Sequence, residues 1–251
     1  MAQGCATDDG VMRALLVAIG FLTRVPVPAH TFDDARARAD SLAWYPLVGA
    51  LIGGVLGVFA WLLRDTSALL SSALVVAAWV ALTGALHLDG LADSADAWVG
   101  GMGDRDKTLA IMKDPRAGPV GVVALLLALM LKFAALASLG AAPWSALLLA
   151  PLLARASLTA LFLTTPYVRS GGLGTGLADA PRRACGVALM AVVVAVLTFG
   201  WRGLLAMVLA AAVFGVWRKA CLDRLGGCTG DTAGALTEMV EVVVLIGLAV
   251  R

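Results

Sequence analysis

Residues 119–140 read PVGVVALLLALMLKFAALASLG, with Lys132 as the one charged side chain. A helix of that length rises about 30 Å, the thickness of a bilayer's hydrocarbon core. Such a run reads as a membrane span, and the chain around it repeats the pattern. Apolar stretches cover 42–63, 67–86, 143–163, 184–200, 203–217 and 233–250, making about seven spanning helices. An eighth, VMRALLVAIGFLT at 11–23, is short and carries Arg13, so it reads as an interfacial or re-entrant helix. The 251 residues are 61% hydrophobic and 14% charged. That leaves too few charges to cover a soluble surface and too little polarity for disorder. The apolar stretches are continuous, not alternating at period two, which excludes a porin-like barrel. The expectation is an all-α polytopic bundle forming a single membrane-embedded domain over 1–251. The four cysteines form no CxxC pair, so neither a disulfide framework nor a zinc site is expected. The polar, acidic N-terminus makes a poor signal peptide.

The basic residues alternate from one connection to the next. Segment 24–41 carries Arg24, Arg36 and Arg38, and loop 87–118 carries Arg105, Lys107, Lys113 and Arg116. Loop 164–183 carries Arg169, Arg182 and Arg183, and 218–232 carries Arg218, Lys219 and Arg224. The intervening connections hold one cation or none. By the positive-inside rule the four rich segments are cytoplasmic and the C-terminus is outside. Nearly all aspartates fall on the same side, so one face is chemically equipped and the other bare. A transporter needs polar groups at mid-membrane depth, and only Lys132, Arg155 and Glu241 lie there. An enzyme working at the cytoplasmic face of the membrane is the better reading, and nothing points to a nucleic-acid partner.

His87-Leu-Asp89-Gly90-Leu-Ala-Asp93-Ser-Ala-Asp96 is the most informative polar stretch. Spacing of i, i+4, i+7 puts three carboxylates on one helix face, where they repel unless a cation joins them. Oxygen donors suit Mg²⁺ or Mn²⁺; the bland alternative is a solvated acidic face. His87 is open to a role as base, ligand or phosphate donor, and Gly90 to a close backbone approach or a helix break. Arg105, Lys113 and Arg116, the last two in IMKDPRAGP, supply cations of the kind a pyrophosphate requires. Arg24, between a short apolar helix and Pro26-Val-Pro28, is a further phosphate-binding candidate, or a snorkelling cation. Asp231, Glu238 and Glu241 share a face of the last helix. A carboxylate at that depth must turn inward, towards the site or into an ion pair with Arg155 or Lys132. The loop YVRSGGLGTGL at 167–177 is glycine-rich, and no strand precedes it that would make it a phosphate loop.

FLTRVPVP, WYPLVGALIGG, GALHLDGLADSADA, IMKDPRAGPVG, YVRSGGLGTGL and GDTAGALTEMVE occur in this order along nearly the whole chain. Together they resemble the adenosylcobinamide-GDP ribazoletransferase (cobalamin-5′-phosphate synthase) family. The resemblance implies a Mg²⁺-dependent membrane enzyme that joins adenosylcobinamide-GDP to α-ribazole or its 5′-phosphate and releases GMP, late in cobalamin biosynthesis. Mg²⁺ would then sit on Asp89, Asp93 and Asp96. Arg24, Arg105, Lys113 and Arg116 would hold phosphate oxygens, and His87 or Asp93 would take the hydroxyl proton. The D-G-x-x-D-x-x-D run is also similar to that of membrane CDP-alcohol phosphotransferases, which keeps a lipid-directed phosphotransferase as the alternative. A transporter is the weaker third reading. The oligomeric state stays open.

Overall fold

The computed structural model describes residues 3–140, 143–169, 173–177 and 179–250. Among them it is helical, without a named strand. The helices are α1 (Gln3–Leu22), α2 (Ala35–Ser41), α3 (Tyr45–Leu62), α4 (Ala68–Thr83), α5 (Leu86–Gly100), α6 (Arg105–Ile111), α7 (Pro119–Leu139), α8 (Trp144–Thr164), α9 (Arg182–Leu197), α10 (Gly200–Leu225) and α11 (Gly230–Ala249). Short 3₁₀ turns flank α2 and carry part of the loop before α9.

Five helices are long and apolar enough to cross a membrane: Ala35–Leu62, which runs α2 into α3, then α7, α8, α10 and α11. Helices α4 and α5 qualify only together, and they are bent by 89°. Against the seven spans expected, five helices, or six with the bent pair counted as one, reach the length and apolarity of a crossing by themselves, for two reasons. The stretch 184–200 forms α9, whose 16 residues reach only about 24 Å. The stretch 67–86 stops at Thr83, because Gly84 and Ala85 both take left-handed backbone angles, φ +63° and +59°. That turn swings the His87–Asp96 segment away from the axis of α4, so the expected loop 87–118 is largely helical. Helix α1 starts well before residue 11 and buries Ala14, Val17, Ala18 and Leu22 along one face.

Helix α8 is the central post, with most of its length buried. Pro151 lies inside it, and its missing N–H leaves the Leu147 carbonyl without the usual helical donor. That carbonyl faces α3. A Cβ on Gly53 would come within 2.5 Å of the Leu147 oxygen, and one on Gly49 within 2.4 Å of the Pro151 oxygen. Gly57, one turn on, lies against the Trp144 ring. Glycine every fourth residue thus lets two backbones meet where lipid offers no hydrophobic force to join them. Helix α11 packs on the other side, against α5, α7, α8 and α10. At its crossing with α5 a Cβ on Gly90 would lie 2.7 Å from the Asp231 carbonyl oxygen, and one on Gly234 3.2 Å from His87 Cα. Gly90 therefore serves the close approach and not a break.

Candidate active site

Two local devices bring polar side chains together at one end of the bundle. Backbone bonds from Val168 N to Cys228 O (2.9 Å) and from Cys228 N to Pro166 O (2.8 Å) tie the segment after α8 to the turn before α11. Thr229 and Thr232 form a reciprocal capping box that starts α11 immediately afterwards. Arg169 is thereby delivered to Asp231, and the two pair at 2.8 Å, with only part of either side chain exposed. Gly174 packs on Tyr167, leaving no room for a side chain there: its Cβ would lie 2.5 Å from the ring.

A cavity of about 540 Å³ opens between these segments. Its polar wall comprises His87 and Asp89 from α5, Lys113, Tyr167, Arg169 and Asp231. Its apolar lining comes from Phe21, Tyr45, Leu86, Leu158 and Phe162. Phe21 and Tyr45 are stacked, with ring centroids 6.0 Å apart. Asp93 lies within Coulombic range of Asp89, Asp96 and Asp231, so the region concentrates negative charge, with Arg169 as the neighbouring cation. Burial pushes the thiol of Cys228, in the turn beside it, up to about 12, which disfavours its thiolate.

The candidate residues separate into groups. His87, Asp89, Lys113 and Asp231 share the cavity wall, and Asp93 flanks it. Asp96 is engaged elsewhere. Its carboxylate accepts from Gly118 N (2.7 Å) and Gly121 N (2.9 Å), capping α7, whose own first residues carry no capping side chain. Cβ atoms on those glycines would fall 2.5 and 2.4 Å from the same carboxylate. Arg105 donates from Nε to the Leu225 carbonyl (2.8 Å) at the end of α10 and pairs with Asp106. Arg116 holds Asp114 at 2.8 Å, keeping that carboxyl down at about 2. Arg24 lies across Gly84 at the α4–α5 bend, its backbone N–H bonded to the Leu82 carbonyl at 2.7 Å. Neither Arg24, Arg105 nor Arg116 is part of the cavity lining. Arg169 was not singled out from the sequence, where it reads as one cation in a glycine-rich loop; its signal is the pairing with Asp231, which only the fold creates.

Glu238 and Glu241 face the bundle interior. Lys132 pairs with Glu238 at 2.7 Å and also with Glu241, which in turn bonds Arg155. All four side chains are almost wholly buried. The Lys132 ammonium also sits 4.7 Å from the centroid of the Trp79 ring. On the cavity side of this network Arg155 Nη2 approaches His87 Nδ1 at 3.4 Å.

Among the described residues no three His, Cys, Asp or Glu side chains converge on a ready-made metal cage. The donor chemistry still fits Mg²⁺. That ion keeps several waters and is held by one or two carboxylates together with substrate phosphates, and Asp89 and Asp93 offer oxygens with excess negative charge around them.

A family model for cobalamin-5-phosphate synthase matches residues 14–249. The chain belongs to this family. Adenosylcobinamide-GDP ribazoletransferase from Stutzerimonas stutzeri (strain A1501) is 55% identical over 96% of this chain and 99% of its own. The proteins of the same name from Pseudomonas paraeruginosa (strain DSM 24068 / PA7) and Pseudomonas aeruginosa (strain UCBPP-PA14) are 55% and 54% identical, each over 95% of this chain and 98% of its own. No solved structure matches this cobalamin-5-phosphate synthase family member.

Proposed function

We propose that the cavity joins adenosylcobinamide-GDP to α-ribazole or its 5′-phosphate, giving adenosylcobalamin or its 5′-phosphate and GMP, in a phosphotransferase-type reaction at the cytoplasmic face of the inner membrane. Family membership over 14–249 supports the activity. The observation that carries the site is one wall presenting Lys113 and Arg169 beside Asp89 and Asp231, next to an apolar lining. A diphosphate needs the cations, and a large apolar ring system suits the lining.

A ribose hydroxyl oxygen attacks the phosphorus attached to cobinamide. The new P–O bond replaces the bond to GMP, which leaves with the electron pair. Lys113 and Arg169 hold phosphate oxygens as charge spreads over them, and a carboxylate, Asp93 or Asp89, takes the hydroxyl proton. Mg²⁺ held by Asp89 and Asp93 would add charge neutralisation at the diphosphate. Phe21, Tyr45 and Phe162 exclude water, so that the hydroxyl and not water is the acceptor.

The test is GMP release from adenosylcobinamide-GDP by the protein in lipid vesicles, with and without α-ribazole and Mg²⁺. Release should require both. Arg169→Ala and Lys113→Ala should each cut kcat/KM by roughly 10- to 100-fold, as expected for a lost charge-assisted bond of about 1.5–3 kcal/mol. Undiminished turnover in both variants would remove the phosphate from this wall.

A further inference from the structure

The intramembrane charge network ends on the histidine of the cavity wall, and we infer that it holds His87 with Nδ1 as the acceptor and the ring proton on Nε2, a hydrogen-bond donor into the cavity and not a base. The argument rests on what each partner can give. A guanidinium has five N–H donors and no acceptor. Arg155 Nη2 lies 3.4 Å from His87 Nδ1, so Nδ1 can only accept, and the proton of the neutral ring must sit on Nε2. A base at Nε2 would need the proton on Nδ1, setting donor against donor across a fully buried contact.

Arg155 cannot swing away. Its side chain is wholly buried, and Glu241 bonds its Nη1. Glu241 is held in turn by Lys132, which also takes Glu238. The backbone side is fixed as well: Gly234 of α11 packs directly on His87 Cα and its carbonyl. Arg155 and Glu241 are thus positioning residues that act through His87, and an Nε2–H turned to the cavity donates to a phosphate oxygen. The inference deepens the proposed reaction and rests on it only for the identity of the group that receives this bond.

The chain has two histidines, so His30→Gln protein labelled with ¹⁵N-histidine reports His87 alone. In detergent at neutral pH, without substrate, its spectrum should show a protonated Nε2 and a bare Nδ1. The Nδ1–H tautomer, or a ring protonated on both nitrogens, would overturn the inference whatever the enzyme's activity. Glu241→Gln should turn the single tautomer into a mixture and lower kcat with little change in KM; an unchanged spectrum would remove Glu241 from the device. Kinetics separate donor from base. Glutamine places an N–H near the position of Nε2, so His87→Gln should keep turnover within about tenfold, whereas losing a general base costs about 10²–10⁴-fold. His87→Leu, which keeps no donor, should fall well below His87→Gln; equal losses in the two would refute the donor role.

Discussion

Gly90→Ala concentrates the structural argument into one methyl group. The added Cβ would lie 2.7 Å from the Asp231 carbonyl oxygen, 3.0 Å from Asp231 Cα and 3.2 Å from Gly234 Cα. These are backbone atoms of α11, which no rotamer change relieves. Ordinary contact begins at about 3.4 Å, so α5 must withdraw from α11 by about 0.7 Å. Overpacking of this kind costs about 1–3 kcal/mol. The catalytic cost should be larger in proportion, because Gly90 follows Asp89 directly and faces Asp231, and the displacement separates the two carboxylate-bearing helices of the wall. Misplacing a reacting constellation by about 1 Å costs on the order of 10²-fold, so kcat should fall by about 10- to 100-fold while the protein still folds. The measurement pairs GMP release in vesicles with the thermal midpoint in detergent. Gly54→Ala is the control: nothing lies within 4 Å of its Cβ position, and removing a mid-helix glycine stabilises by roughly 0.5–1 kcal/mol. Gly90→Ala with wild-type turnover and midpoint would show that the α5–α11 contact does not position the site.

Three further outcomes follow from particular contacts. Lys132→Met leaves Glu238 and Glu241 in the bundle with Arg155 as their nearby cation and should destabilise by about 3–5 kcal/mol; the thermal midpoint of the Lys132→Met/Glu238→Gln pair should recover part of that loss, and its failure to do so would deny the coupling. Asp89→Asn should move the Mg²⁺ midpoint for GMP release upward, whereas Asp96→Asn, which disturbs the α7 cap, should lower the thermal midpoint with the metal dependence nearly unchanged. A reversal of those two effects would restore Asp96 as a ligand. A cysteine at Thr66 should react with an impermeant thiol reagent in intact cells while one at Asp104 stays protected; the opposite labelling would invert the membrane orientation.

The residues themselves determine the all-α membrane architecture, because the cost of placing a backbone or a charge in hydrocarbon depends on composition along the chain. The same cost made Glu238 and Glu241 legible as inward-facing, with Lys132 and Arg155 as the nearest available partners. The motifs in order likewise announced the family. The break after Thr83 was not legible, because hydropathy runs smoothly through 67–86 while two left-handed residues, Gly84 and Ala85, turn the chain by nearly a right angle. Nor was the division of labour among like residues. Asp89, Asp93 and Asp96 are equivalent as a periodic pattern, yet Asp96 alone meets the start of α7, 22 positions onward at Gly118. Arg169 reads as one more cation in a glycine-rich loop until the short pairing of 166–168 with Cys228 carries it to Asp231. Periodicity places a side chain on a face, but a charge acquires its role from what that face touches, and only the packing of α5 and α7 around α11 decides that.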